Sequence, residues 1–149
     1  HCTSSAASDV YKRQIDNNLE KIVSLDQEQF PLPWSLSQWE ESLKNNSFKL
    51  IFHKEHTSFC LFHIIEDQAH LLKILVDKNI RGTGEALRLF NFSCEFLKLK
   101  KQRSIFLEVD SENISALKFY EKIGFDTVHI SKNFYGKDKN AQKMIYTID

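Results

Sequence analysis

The segment Arg81-Gly82-Thr83-Gly84-Glu85-Ala86 stands between an apolar, strand-like run and a long amphipathic stretch, and this junction restricts the fold more than any other feature of the chain. Its two glycines let the main chain turn tightly and come close to a ligand. The helix that starts there presents unpaired N–H groups and the positive end of its dipole at the same spot. Such a strand-to-helix turn suits an anion, and a phosphate above all. The GxxxxGK[ST] pattern of a nucleoside-triphosphate loop is absent, as is the third glycine of a dinucleotide fingerprint. Taken alone, the segment is equally a tight turn before a helix.

Short elements surround the junction. FKLIFHK (48–54) and SFCLFHII (58–65) read as strands flanking a polar turn near Glu55 and His56. AHLLKILVD (69–77) follows across Glu66-Asp67-Gln68, so three antiparallel strands are expected. Upstream, Asp16 as N-cap and Leu19, Ile22, Val23 and Leu25 or Phe30 at near-helical spacing predict a first helix. PLPWS at 31–35 breaks it, because proline restricts its predecessor and cannot continue a helix interior. A short second helix should span about Ser37 to Lys44. Beyond the junction, Leu87, Phe90, Cys94 and Leu97 form one stripe and Leu89, Phe92, Phe96 and Leu99 another, an apolar face wide enough to need cover on two sides. RSIFLEVD (103–110) predicts a strand and ENISALKFYEKIG (112–124) a helix ended by Gly124. FDTVHIS (125–131) and AQKMIYTI (141–148) predict two closing strands.

Composition narrows the function classes. A chain of 149 residues suits one domain with one core. Lys plus Arg number 20 and so do Asp plus Glu, so nothing global attracts nucleic acid or an anionic membrane, and a local site is expected. No apolar run approaches the roughly 20 residues of a bilayer span, and no charged-then-apolar leader is visible, which points to a soluble, cytoplasmic protein. Cys60 and Cys94 lie in apolar segments and Cys2 near the start, without CxxC pairs or ligand spacing with histidine, so free thiols and no metal are expected. Residues 1–14, HCTSSAASDVYKRQ, lack a starting Met and differ in character from the rest; they are read as a cloning or assembly scar, with Val10 and Tyr11 left as a makeshift strand, and the domain is set at 15–149.

Three polar residues in apolar surroundings invite a chemical role. Glu108 interrupts Ile105-Phe106-Leu107 and Val109, where a carboxylate is costly unless solvated or paired; it is either an outward-facing strand residue or a working group. Tyr120 shares its helix with Ile114, Leu117 and Phe119 and is either a core aromatic or a positioned phenol. Asn113, in the first turn, competes for the helix cap.

The order of these features resembles the GNAT acetyltransferase superfamily. A strand ends in Val76-Asp77, an [RQ]xxGx[GA] loop follows, then a strand with Glu108, a helix opening at Asn113, and Tyr120-Glu121-Lys122-Ile123-Gly124-Phe125. The likeness covers about Ile15 to Ile148. More narrowly, FPLPWS (30–35), LEVDSENISALKFYEKIGF (107–125) and KNFYGKDKNAQKMIYTI (132–148) are similar to the RimI branch, the ribosomal-protein-alanine N-acetyltransferases. The resemblance implies an α+β fold, with a mixed, mostly antiparallel sheet flanked by helices: one strand, two helices, three strands, a helix, a strand, a helix and two strands.

It also implies acetyl-CoA as cosubstrate. The pyrophosphate would rest on the backbone of Arg81, Gly82, Thr83, Gly84, Glu85 and Ala86, the pantetheine arm would extend the sheet along Ile74, Leu75 and Val76, and Asn113 would touch the coenzyme. By the same resemblance Glu108 is the general base and Tyr120 the general acid, while Pro33, Trp34 and Tyr135 shape the groove for a protein or peptide N-terminus, a ribosomal protein among the candidates. The family's proline after Val-Asp is Lys78 here, its second loop glycine is Ala86, and its first strand would fall in residues 1–14. A small-molecule amine acetyltransferase and a non-catalytic acyl-CoA-binding domain are the alternatives. FPLPWS and NFYG speak against the first, and Glu108 together with Tyr120 against the second.

Overall fold

The N-terminal helices owe their arrangement to one buried carboxylate. In the computed structural model, residues 18–53 and 58–149 are described, and the chain divides into two units, His1–Asn46 and Ser47–Asp149. In the first, helix α1 occupies 18–29 of the described residues, and α2 spans Leu36–Lys44. Ser35 caps α2 through a reciprocal pair: its hydroxyl accepts from Gln38 N at 3.2 Å and Gln38 Oε1 accepts from Ser35 N at 2.8 Å. A cap of this kind is worth about 1 kcal/mol. Asp26 is fully buried, and Oδ2 accepts from Trp34 N at 2.9 Å and Trp39 Nε1 at 3.0 Å. The two indole rings pack at 5.2 Å. These bonds satisfy a carboxylate that would otherwise be expensive to bury, and they fix the proline-rich loop between the helices. The expected Asp16 cap, the Val10–Tyr11 strand and the Glu55–His56 turn lie outside the described residues.

The second unit is a six-stranded sheet with helices. Strands β1 (Phe48–His53), β2 (Ser58–Ile65) and β3 (Gln68–Val76) lead through the 3-10 turn Lys78–Ile80 into α3 (Glu85–Leu99); β4 (Ser104–Asp110), α4 (Ile114–Ile123), β5 (Asp126–Ser131) and β6 (Ala141–Thr147) follow. Sheet order is β1-β2-β3-β4-β6-β5. All neighbours are antiparallel except β3 and β4, which are parallel and therefore need the α3 crossover. Ile51, Cys60, Phe62, Ile105, Leu107 and Met144 face one side of the sheet and pack there with Leu89, Phe90 and Leu97 of α3, Leu117 of α4, and Phe125. Gly124 ends α4 in the left-handed region at φ 113°, as expected. A side chain there would press to 3.2 Å from the Tyr146 ring.

α3 departs from expectation. Leu89, Phe90, Ser93 and Leu97 are buried, but Leu87, Phe92 and Leu99 are 42%, 50% and 82% exposed, so the helix is enclosed on one face and members of both expected stripes stay open.

β3 carries the irregularity that shapes the molecule's chemistry. Leu61 pairs with Lys73 and Phe62 with Leu71, so Leu72 is left over as a bulge. Before it Ala69 and Leu71 face the core; after it Ile74 and Val76 do, a change of phase that a continuous apolar run conceals. β3 and β4 pair only at Gln68↔Ser104, Ala69↔Ile105 and His70↔Phe106. Past that point the bulge turns β3 away, and the two parallel strands diverge as a V.

Candidate functional site

The mouth of the V meets the glycine loop. Asp77 closes β3 and its Oδ1 accepts from Asn79 N at 2.9 Å, starting the 3-10 turn. Gly82 and Gly84 then take φ of 76° and 81°, the left-handed region that only glycine enters freely. Side chains hold the loop in shape: Thr83 Oγ1 donates to Ile80 O at 2.5 Å, Arg81 Nε to Val76 O at 3.3 Å, and Arg88 Nη2 to Thr83 O at 2.7 Å. Arg88 Nε is anchored in turn by Glu85 Oε2 at 3.3 Å. Glu85 is 2% exposed at the first position of α3, where the helix dipole favours an anion, and it also meets His53 Nδ1 and, at 3.3 Å, Ser58 Oγ.

A cleft of about 540 Å³ opens on this loop, with Val76, Arg81 and Gly84 on one wall and Phe119, Lys122 and Ile123 of α4 on the other. The volume is ordinary for a cofactor-sized ligand. Of the residues expected to meet a coenzyme, Val76, Arg81, Gly82, Gly84, Glu85 and Ala86 line it. Four do not. Thr83 turns its hydroxyl back to Ile80; Ile74 packs into the core and Leu75 is buried, which leaves their main chains at the open strand edge. Asn113 Oδ1 caps α4, accepting from Ala116 N at 3.1 Å. Lys122 and Arg88 were not anticipated; one is among the two lysines of an amphipathic helix and the other lies two residues beyond the motif.

A second cluster lies at the vertex. Glu108 on β4 is half-buried and its Oε2 lies 2.5 Å from Nε2 of His70, a β3 residue that sequence reasoning did not single out. His70 lies flat on Phe106, ring centroids 4.4 Å apart and planes 11° from parallel. Lys143 pairs with Glu108 across β4 and β6, and its Nζ sits 4.7 Å over the same Phe106 ring. The His70 hydrogen bond holds the Glu108 carboxyl below its ordinary range despite partial burial, and the His70 and Lys143 charges add to this.

Tyr120 belongs to the core side, its ring 5.4 Å from both Phe119 and Phe125. Burial pushes its phenol well up, and the nearby Cys60 and Tyr135 add to that. The Cys60 thiol, itself pushed up to about 12 by burial, is neutral there. Glu108 alternates with Leu107 and Val109, which face the core, so Glu108 and Tyr120 stand on opposite sides of the sheet at the V. Tyr135, in the β5–β6 link, is raised first by burial and then by Glu108 and Asp110, which places its hydroxyl in their field. Pro33 and Trp34 belong to the N-terminal unit, where Trp34 is tied to Asp26. Among the described residues, no three His, Cys, Asp or Glu side chains gather to hold a metal, and no helix is long and apolar enough to cross a membrane.

Known proteins share this fold. The profile of the acetyltransferase (GNAT) domain matches residues 6–148. The [ribosomal protein bS18]-alanine N-acetyltransferase of Haemophilus influenzae is 31% identical over 132 residues, spanning 85% of this chain and 87% of that protein. Its Escherichia coli counterpart is 26% identical over 124 residues, 79% of this chain and 81% of that one. The crystal structure of the ribosomal-protein-S18-alanine N-acetyltransferase from Escherichia coli superposes with a TM-score of 0.77 at 21% identity, covering 89% of each chain. An aminoglycoside 6'-N-acetyltransferase complexed with coenzyme A gives 0.75 at 18% identity, over 88% of this chain and 91% of that one. At such identities the two structures attest the shared fold.

Proposed function

Because the chain belongs to the acetyltransferase (GNAT) family, we propose that it moves the acetyl group of acetyl-CoA onto the α-amine of a protein N-terminus, and that this end is a ribosomal protein's. The observation that carries the reading is the V between β3 and β4, open beside a glycine loop at one end and flanked by Glu108 and Tyr120 on its two sides. The unpaired edge of β3 from Ile74 to Val76 offers main-chain partners to the amides of a pantetheine arm, in the manner of an added strand. The N–H groups at the start of α3 face the pyrophosphate, with Lys122 across the cleft, and Asn113 reaches the coenzyme from the start of α4.

The chemistry divides between the two sides of the sheet. An α-ammonium must lose a proton before its nitrogen can attack the thioester carbonyl, and Glu108 is the carboxylate that draws that proton away. Collapse of the tetrahedral intermediate expels a thiolate, to which Tyr120 gives the phenolic proton. Tyr135, set in the field of Glu108, flanks the acceptor amine. The protein acceptor is supported by the named substrate of the relatives and by that aromatic beside the base.

Acetylation of two synthetic peptides tests this directly. A peptide with a free N-terminus should gain one acetyl group at its first residue, and one with a blocked N-terminus and internal lysines should gain little, as tandem mass spectrometry reads. Lysine ε-amines, with an ordinary pKa near 10.4 against about 8 for an α-amine, are far more protonated at neutral pH. Preferential modification of the blocked peptide would refute the α-amine assignment, and turnover confined to small polyamines or aminoglycosides would establish the small-molecule alternative.

A further inference from the structure

We propose that the proton leaving the acceptor amine lands on Nδ1 of His70, with Glu108 as the carboxylate that orients the ring and balances its charge. This rests on the amine-acetylating reading above and revises one step of it: Glu108 draws the proton away through His70 rather than taking it itself.

His70 forms the last rung between β3 and β4, so its side chain stands at the vertex of the V, on the Glu108 side of the sheet. Nε2 is committed to Glu108 Oε2, and the flat stack on Phe106 holds the ring plane. Among the described residues no hydrogen bond engages Nδ1, and the side chain is 21% exposed. An ionised carboxylate only accepts, so Nε2 carries the hydrogen of the neutral ring and Nδ1 is left with its lone pair. One nitrogen donating to a buried-side carboxylate and the other open is the arrangement by which an imidazole serves as a base. The charged and titratable groups around it are Glu108 from β4, Lys143 from β6, His63 as its register partner on β2, and Tyr135 beside Glu108.

Glu108 by itself is poorly matched to the task. His70 and Lys143 stabilise it as an anion and hold it below the ordinary carboxylate range, whereas an α-ammonium gives up its proton near pH 8. A group so far from its donor accepts the proton only at a large equilibrium disadvantage; an imidazole, ordinarily near 6.5, is closer. The positive charge formed on His70 then lies against a carboxylate already in place.

The protons balance. The ammonium N–H bond breaks and an Nδ1–H bond forms; the neutral amine attacks the thioester carbon. Collapse breaks the C–S bond, the thiolate takes the Tyr120 proton, and the second proton on the acylated nitrogen restores Tyr120. The imidazolium releases its proton to solvent, giving the one proton produced per turnover.

Two measurements decide the matter. With the free-N-terminus peptide, His70→Gln should lower kcat/KM about ten- to a hundredfold near neutrality, leave ionisation of the peptide amine as the sole cause of the rise in rate with pH, and leave KM for acetyl-CoA unchanged. Glu108→Gln should also lower kcat/KM, because the ring loses the carboxylate that orients it. A His70→Gln variant that retains the parental rate and pH profile overturns the proposal. Nitrogen NMR of the labelled protein needs no turnover: neutral His70 should carry its hydrogen on Nε2, and that tautomer preference should weaken in Glu108→Gln. A hydrogen found on Nδ1 of neutral His70, or a tautomer indifferent to Glu108, overturns it as well. An inactive parent enzyme would count against amine acetylation, while the NMR result still judges His70.

Discussion

Replacing Tyr120 with phenylalanine should lower kcat by about a hundredfold or more while leaving the Kd for acetyl-CoA nearly unchanged. The ring packs between Phe119 and Phe125, and the substitution keeps those contacts and removes only the hydroxyl. Stability should therefore hold, and circular dichroism melting of the variant should match the parent. The phenol is raised above its ordinary value near 10 chiefly by burial. A group whose pKa is raised keeps its proton as the pH climbs, so Tyr120 stays a donor across the whole working range and contributes no alkaline fall in activity below about pH 10. The same dry surroundings disfavour the departing thiolate, which makes a donor at that position the more valuable. Thiol release measured against acetyl-CoA and peptide concentration separates the effects. Unchanged kcat would return Tyr120 to the role of a core aromatic.

Gly84→Val should remove most of the binding of acetyl-CoA. A ligand at a hundred times its Kd stabilises the native state by about 2.7 kcal/mol, and about 2–4 °C of Tm per kcal/mol is expected for a chain of this size. The parent should thus gain roughly 5–10 °C on adding saturating acetyl-CoA, and the variant little. Two causes act together. Gly84 has φ of 81°, where a β-branched residue is strained, and a Cβ would stand 3.4 Å from Arg88 Nη1, the side chain that holds Thr83. The branch would also project where a phosphate must approach the backbone. Gly84→Ala, with the smaller side chain, should show an intermediate loss and guards against a variant that merely misfolds. Calorimetric affinity of both folded variants equal to the parent would remove this loop from the coenzyme site.

Much of this was legible because the decisive signals are local. Strand lengths, the Gly124 helix stop and the turn at Arg81–Ala86 depend on residues close in sequence, and their boundaries fall within a residue or two of expectation. Glu108 stood out because a carboxylate in an apolar strand demands a partner, yet the partner could not be named. His70 is one polar position in AHLLKILV, and only the register that sets it against Phe106 makes it visible. The Leu72 bulge is hidden for a related reason, since period-two alternation and its shifted continuation look alike where every residue is apolar. On α3 the error ran the other way: Phe92 and Leu99 share the periodicity of the buried positions, but periodicity cannot say how many faces are covered.

The V between β3 and β4 also sets a limit on how far this fold can be improved. Two parallel strands that pair along three residues and then part leave main-chain groups unmatched over the rest of their length, and lengthening the ladder would satisfy them. Drawing the surplus Leu72 into a regular ladder is the shortest route to that, and it would throw Ile74 and Val76 to the wrong side of the sheet. Variants selected only for heat resistance would be drawn toward closing the gap, and in doing so would shut the cleft proposed above for the thioester. A chain with this topology keeps its activity by leaving its own sheet unfinished.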